Sequence, residues 1–205
     1  AVTPEEATRL ATAHPVNPEA YAAYLKGRFH WDKLTTPEDL DTAMKYFQLA
    51  LEKDPNYALA YTGIGYVWGG RNALGVVPPR EAWPKAKAAA LKALELDDTL
   101  AEAHELLANV LTWSEWDWPA AEREFRRAIE LNPNYAHVRV FYSVFLTSMG
   151  RPQEGRAQIE RALELDPLNS FFRGVYGWEL MYMRQYDDAI AQVRKAHGTE
   201  PHMHV

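Results

Sequence analysis

The strongest constraint in this sequence is an internal repeat of about 34 residues. Four segments resemble one another: ALEKDPNYALAY, ALELDDTLAEAH, AIELNPNYAHVR and ALELDPLNSFFR. Their turn residues are Pro55, Asp98, Pro133 and Pro167, and Pro201 follows, so that the last two intervals are 34 residues each. A period of this length is typical of helical hairpins that stack on one another. The 205 residues are therefore expected to form a stack rather than to surround one globular core.

Small residues recur at three fixed positions of the repeat. In the first helix of each predicted pair they are Gly27, Gly65, Ala108, Ser143 and Gly177. Early in the second helix they are Ala43, Ala86, Ala121, Gly155 and Ala189. Every unit then has an alanine later in that helix, at Ala50, Ala93, Ala128, Ala162 and Ala196. Small side chains let helices approach closely while larger ones fill the grooves between them, so tightly packed helices are expected.

The period and these positions resemble the tetratricopeptide repeat family over roughly residues 20–203. The resemblance implies an all-α fold, a right-handed superhelical α–α solenoid of about five helix pairs. The predicted repeats are 20–57, 58–100, 101–135, 136–169 and 170–203. Residues 1–19 are predicted to form a leading helix and linker, in which Thr3-Pro4 starts a short helix that ends near Ala13.

Longer phrases narrow the resemblance to one bacterial subgroup. The segments EAYAAYLKGRFHWDKLTTPEDLDTAMKYF and WDWPAAEREFRRAIELNPNYA are similar to repeats in the C-terminal halves of multidomain regulators. The N-terminal parts of such regulators are winged-helix, serine/threonine kinase or nucleotide cyclase domains. The resemblance implies a cytoplasmic, regulatory interaction module of a larger protein.

The first helix of each pair lines the concave face in such solenoids and so forms an extended groove. The residues predicted to bind a partner there are Tyr21, Tyr24, Arg28, Trp31, Thr62, Tyr66, Glu105, Asn109, Trp113, Val140, Val144, Trp178, Met181 and Tyr182. The same register adds Gly69, Gly70, Glu102, Thr112, His137, Thr147 and Phe171. A groove rich in Tyr, Trp and Met favours an apolar peptide or a partner helix. The alternative role of each aromatic residue is packing between adjacent helices.

Two further apolar features are predicted to face outward. The segment TWSEWDWPA exposes Trp116 and Trp118, which either anchor the long second-repeat insertion, GGRNALGVVPPREAW, or form an edge patch for another domain. The final helix, about Asp187 to His197, has no following helix to cover it. We expect self-association through its end face, formed by Ala189, Ile190 and Val193.

Composition and motifs argue against other functions. The chain has no cysteine, a net charge of −6 without a basic block, and no apolar run of about 18 residues, so disulfides, nucleic-acid binding and membrane spans are not expected. Arg28 and Asn109 alone suggest a clamp for a peptide carboxylate, and they lie on separate repeats. The terminal His197, His202 and His204 do not predict a metal site. Neither a cofactor nor a catalytic group is expected.

Three functional hypotheses follow from this sequence. The first is a non-catalytic scaffold that binds an apolar peptide or partner helix in its groove. The second is a small-molecule sensor that regulates a linked DNA-binding or enzymatic domain. The third is a structural module that assembles with itself, as a homodimer through the uncapped C-terminal end.

Overall fold

The structure is a computed structural model and describes residues 17–33 and 36–199, with side chains for 17–32 and 36–196. This part of the chain contains ten α-helices and no strand, which confirms the expected all-α fold. The helices are α1 Pro18–Lys33, α2 Pro37–Lys53, α3 Ala58–Ala73, α4 Pro79–Leu96, α5 Ala101–Val110, α6 Trp118–Leu131, α7 Ala136–Ser148, α8 Pro152–Leu165, α9 Ser170–Tyr182 and α10 Tyr186–Thr199. A π-helical turn, Leu111–Glu115, continues α5. The predicted helix near Thr3 lies outside the described residues.

The helices form five hairpins that stack in chain order. Each odd-numbered helix packs on the even-numbered helix that follows it, and each even-numbered helix of the first four hairpins also contacts the next odd-numbered helix. The odd-numbered helices touch one another directly, α1 with α3, α3 with α5, α5 with α7 and α7 with α9. A row of helices in direct contact is the arrangement expected on the inner side of a curved stack, and we call the odd-numbered helices the inner row. The predicted helical-repeat solenoid is confirmed.

Small residues permit this close stacking. The five alanines of the predicted register are fully buried, at Ala50, Ala93, Ala128, Ala162 and Ala196. Phe47 on α2 lies between two glycines of neighbouring helices, since a Cβ atom on Gly27 or Gly63 would lie 2.5 or 2.6 Å from its ring atom Cε1. The same ring therefore packs against α1 and α3 and joins the first hairpin to the second.

Both helices of the first two hairpins are longer than those of the fourth, since α1 and α3 have 16 residues each and α7 has 13. Helices α2 and α4 have 17 and 18 residues, whereas α6 and α8 have 14 each. Helix α2 begins at Pro37, and the hydroxyl of Thr36 accepts a hydrogen bond from the backbone N–H of Asp39 at 3.2 Å. A proline at the first helical position and acids in the first turn favour this early start. The expected long insertion is thereby corrected, because only residues 74–78 separate α3 from α4.

Four of the turns inside hairpins place one residue in the left-handed region. These residues are Gly75, Trp116, Gly150 and Arg184, with φ between 55° and 75°. Glycine adopts this conformation freely, whereas a residue with a Cβ atom loses about 1–2 kcal/mol. Trp116 is also highly exposed. Among the described helices, none has both the length and the apolar character that crossing a bilayer requires.

Two substitutions within α3 test whether helix spacing limits stability. We expect Gly63→Ala to destabilise the protein by about 1–3 kcal/mol, because its new methyl group would overlap the enclosed ring of Phe47. The control is Gly69→Ala, where the nearest atom to the new methyl group is 3.9 Å away. This second change is expected to stabilise the helix by about 0.5–1 kcal/mol. Urea unfolding followed by far-UV circular dichroism measures both, and equal effects would contradict the interpretation.

Candidate functional site

The predicted groove residues fall into three groups by exposure. Those exposed are Tyr21, Trp113, Trp178, Met181 and Tyr182. Those half-buried are Arg28, Trp31 and Val144. Those buried are Tyr24, Thr62, Tyr66, Glu105, Asn109 and Val140. The exposed aromatic surface is thus concentrated on α9. In the middle of the inner row most of the predicted groove residues are buried, and we call the surface formed there by Thr62, Tyr66, Glu105, Asn109 and Val140 the floor.

Several buried residues of the predicted groove serve the packing of the hairpins. Val140 lies in the cluster formed by α7, α8 and α9, together with Ile159 and Phe172. Thr62 donates its hydroxyl hydrogen to the carbonyl of Leu59 in its own helix, at 2.7 Å. These side chains therefore offer no accessible surface to a partner.

A hydrogen-bonded network crosses the floor from α3 to α7. The hydroxyl of Tyr66 lies 2.9 Å from Oε2 of Glu105 and 3.0 Å from the backbone carbonyl of Glu102. Nδ1 of His137 lies 2.8 Å from Oε1 of the same Glu105. The hydroxyl of Tyr135 lies 3.3 Å from that of Tyr66. One carboxylate thus receives partners from the hairpins on both sides of its own.

Glu105 is fully buried, and this network meets its need for hydrogen bonds. Burial raises the pKa of Tyr66 and of Tyr135 well above the ordinary value, and the neighbouring Glu105 carboxylate raises both further. Burial likewise raises the pKa of Glu102. Satisfied networks in such an environment hold their members in one arrangement. The floor is therefore a rigid part of the solenoid.

Aromatic rings connect the floor to both ends of the inner row. Trp31 stacks on Tyr66 at a centroid distance of 5.8 Å, and Tyr66 meets His137 edge-on at 5.9 Å. His137 contacts Phe141 at 4.8 Å, and Phe141 contacts Phe171 at 6.3 Å. This chain of rings runs from α1 to α9 along one side of the stack.

Helix α9 presents the largest exposed part of this surface. Trp178 and Tyr182 pack against each other with ring centroids 4.5 Å apart. Met181 is exposed beside them, and Phe171 is exposed seven residues before Trp178. Spacings of three, four and seven residues place side chains on one face of a helix. We call Phe171, Trp178, Met181 and Tyr182 the α9 patch.

The single arginine among the predicted groove residues is held by its own helix. Arg28 donates to the hydroxyl of Tyr24 at 3.4 Å and to Asp32 at 3.3 Å. Arg28 also interacts electrostatically with Tyr135 and Glu102, and its positive charge acts to lower the pKa of Glu102, against the effect of burial. The charges around this guanidinium are therefore already partly balanced within the protein.

A second buried carboxyl group lies between α7 and α9. Oε1 of Glu179 accepts a hydrogen bond from the hydroxyl of Ser143 at 2.7 Å, while Oε2 has no partner among the described residues. Burial raises the pKa of Glu179 to about 7, although the Ser143 hydrogen bond acts in the opposite direction. Unlike Glu105, this group has one partner and no basic one.

The predicted end face on α10 is divided by the packing of that helix. Ala189 is buried, and Val193 is half-buried against Gly177, whose added Cβ would lie 2.8 Å from Cγ2 of Val193. Ile190 is exposed. Among the described side chains, no group of three or more acidic, histidine or cysteine residues is arranged to hold a metal ion. The side chains of His197, His202 and His204 lie outside the described part of the chain.

Two contributors to the floor were absent from the predicted groove. Tyr135 precedes α7, and Phe141 lies on the side of α7 that carries His137. A signal for Tyr135 existed in the repeat itself, because the sequences DPNYA and NPNYA place Tyr57 and Tyr135 at equivalent positions. Phe141 had no such signal, since its role depends on the approach of Phe171 from the next hairpin.

A row of stacked helical hairpins with a rigid inner floor and exposed aromatic side chains defines a helical-repeat solenoid. Residues 117–170 match the family described as Tetratricopeptide repeat. The other described hairpins stack in the same way, so the chain has the fold of a tetratricopeptide-repeat solenoid, with the family match itself confined to residues 117–170.

The chain is similar to several known proteins. The transcriptional regulator HilA of Salmonella typhimurium is 28% identical over 167 residues, which are 82% of this chain and 30% of HilA. A thermophilic TPR protein of Thermus thermophilus has a TM-score of 0.68 at 17% identity, with 89% of this chain and 92% of that chain covered. YrrB, a TPR protein with an unusual peptide-binding site, has a TM-score of 0.51 at 23% identity, with 98% and 95% covered. These two structures share the fold.

The buried network predicts a specific sensitivity at Tyr66. We expect Tyr66→Phe to destabilise the protein by about 1–3 kcal/mol, because it removes a donor from the buried carboxylate of Glu105. Tyr61→Phe is the control, since the hydroxyl of Tyr61 donates to the carbonyl of Pro55 at an exposed site. Thermal unfolding of both variants measures the difference, and two equally mild effects would show that the network does not stabilise the floor.

The buried carboxyl group of Glu179 predicts that stability falls as pH rises. Its pKa of about 7 in the folded state exceeds the ordinary carboxyl value of 4.5, so folding retains a proton between these values. Stability is then lost progressively from about pH 4.5 and fully above about pH 7, by up to about 3 kcal/mol. Glu179→Gln should flatten this dependence in unfolding curves between pH 5 and 8, unlike Glu164→Gln on the exposed side of α8. An unchanged slope in Glu179→Gln would refute the assignment.

Proposed function

We propose that this chain is a non-catalytic interaction scaffold that binds an apolar peptide or a partner helix along its inner row of helices. The observation that carries the proposal is the α9 patch, in which Trp178, Met181 and Tyr182 are exposed together on one helix face. Contiguous aromatic surface of this kind is uncommon on a soluble chain unless another molecule covers it. Aromatic anchors supply most of the affinity at interfaces.

The rigid floor supports such a role energetically. A surface that is already ordered loses little conformational entropy when a ligand binds. Glu105 and Tyr66 hold α3, α5 and α7 together, and the ring contact between Phe141 and Phe171 extends the row to α9. A bound segment would therefore meet a preformed surface, with the α9 patch as its apolar anchor site.

A regulatory role in a larger protein is part of this proposal. It is supported by the similarity to HilA, a transcriptional regulator of which the chain spans about 30% of the length. The peptide-binding site of YrrB supports the choice of a peptide ligand on the same fold. In this proposal the chain works in the cytoplasm and supplies the partner contact, while other parts of such a regulator supply its output.

A small-molecule sensor and a self-assembling module are the alternatives. A cleft of about 510 Å³ lies between α8, α9 and α10, lined by charged residues such as Arg156, Glu160 and Lys195. None of the α9 patch residues lines this cleft, and most of its lining is polar, so it does not favour an apolar small ligand. A thermal-shift screen of metabolites tests the sensor, because a ligand stabilises the folded state by mass action. Light scattering across concentrations tests self-assembly through Ile190.

The central experiment is a peptide selection followed by substitution in the α9 patch. Random peptides displayed on phage are selected on the immobilised chain, and the enriched peptides are synthesised and titrated by fluorescence anisotropy. We expect enriched peptides with spaced apolar anchors. The double variant Trp178→Ala/Tyr182→Ala should bind them about 30-fold more weakly, as expected for anchors worth about 2 kcal/mol.

The matched control is Tyr186→Ala. Tyr186 is also an exposed aromatic residue, but it starts α10, a second helix outside the inner row. Its removal should change the affinity less than about twofold, and the far-UV spectrum of all variants should stay the same because these side chains are exposed. Affinity that survives loss of Trp178 and Tyr182 would exclude the α9 patch as the binding site.

A further inference from the structure

Three tryptophans are exposed within six residues of one another at the turn between α5 and α6. Trp113, Trp116 and Trp118 are 43%, 71% and 46% exposed. The turn combines the π-helical segment Leu111–Glu115 with the start of α6, and the N–H of Asp117 donates to the carbonyl of Leu111 at 3.1 Å. We call the three indoles the tryptophan tip. Among the described residues, no ring or cation packs against them at an interaction distance.

The residue at the left-handed position of this turn is unusual. The corresponding turns of the second and fourth hairpins use Gly75 and Gly150, which adopt positive φ freely. Here the position holds Trp116 at φ 55°, and its side chain is mostly in solvent. Backbone strain at an exposed aromatic residue is not compensated by burial of that side chain. Packing within the chain therefore does not explain why tryptophan stands where glycine fits better.

Acidic residues alternate with the tryptophans. The order Trp113-Ser114-Glu115-Trp116-Asp117-Trp118 contains two acids and no basic residue. Glu115 pairs with Lys87 on α4, and one oxygen of Asp117 accepts from the N–H of Ala120 at the start of α6. The chain as a whole carries a net charge of −6, which attracts cationic partners and repels a second copy of itself. The net charge of the chain thus favours a basic occupant, although Glu115 and Asp117 are already engaged within the protein.

A tryptophan elsewhere in the protein already binds cations over its ring. The ring of Trp68 on α3 carries the ammonium of Lys85 at 4.0 Å from its centroid and the guanidinium of Arg71 at 4.8 Å. Tryptophan is the best aromatic acceptor for such cation–π contacts. The chain itself supplies the cations that lie over Trp68. It supplies none to the indoles of the tip among the described residues.

We propose that the tryptophan tip is a second interaction surface, which binds an arginine- or lysine-rich segment of a partner protein through cation–π contacts. Basic side chains lie over the indoles with their aliphatic stems against the rings, and the net negative charge of the chain attracts them. This surface lies on the turn of the third hairpin rather than on the α9 patch. It shares no residue with the α9 patch, although Trp113 is also one of the predicted groove residues.

The test titrates two short peptides into the whole chain, and the indole N–H signals of its isotopically labelled tryptophans are followed by NMR. One peptide carries several arginines in a Gly/Ser background, and the other carries citrulline, the neutral isostere, at the same positions. We expect the arginine peptide to shift the indole N–H signals of the tip and to bind at least about fivefold more tightly than the citrulline peptide. Added salt should weaken the arginine peptide alone.

Trp116→Gly separates binding from folding. Glycine fits the left-handed turn without strain, so the thermal midpoint should stay the same or rise, while affinity for the arginine peptide falls by about fivefold or more. Arg184→Gly, at the corresponding turn of the last hairpin, should give a similar midpoint and unchanged affinity. The groove variant Trp178→Ala/Tyr182→Ala should also bind this peptide normally, so the two proposals fail separately.

Several results would overturn this proposal. Equal binding of the citrulline peptide would show an apolar surface rather than a cation site. Tip signals that change with protein concentration alone would indicate a second copy as the occupant. A lower thermal midpoint of Trp116→Gly would show that the indole stabilises the fold and was retained for that reason.

Discussion

Phe47 fits between α1 and α3 because Gly27 and Gly63 leave room for its ring, and the same condition recurs along the stack. The five alanines of the second helices are fully buried, so each hairpin approaches the next at close range. This spacing brings the first helices into direct contact and creates the inner row. The floor, the exposed patch and the turns at the edge all depend on it.

Close stacking also determines the electrostatics of the floor. It removes Glu105 and Glu179 from water, and a buried carboxyl group is tolerated only with partners or with a shifted pKa. Glu105 has Tyr66 and His137 as partners from two neighbouring hairpins. Glu179 has Ser143 alone, and its pKa rises to about 7. Two similar side chains in one row therefore behave differently because their neighbours differ.

The predicted groove residues lie on the inner row of helices or, for Trp113, on the π-helical turn that continues α5, but they differ in access. Position in the repeat identifies the helix face of Tyr66, Val140 and Trp178 equally well. Val140 is nevertheless covered by the next hairpin, and Tyr66 is committed to a buried network, while Trp178 is exposed near the C-terminal end of the stack. The start of α4 at Pro79 was missed because this proline was treated as part of a long insertion rather than as the first residue of a helix.

The sequence by itself determined the helix pairs, their order and the burial of the alanine register. These properties follow from short-range periodicity, which a single repeat already contains. Only the tertiary structure decided which groove residues are accessible and how the buried acids are satisfied. The partners of Glu105 lie 39 and 32 residues away in the chain, so their contact exists only after three hairpins have stacked. Burial depends on the neighbouring hairpin, and no residue type or spacing within one repeat specifies it.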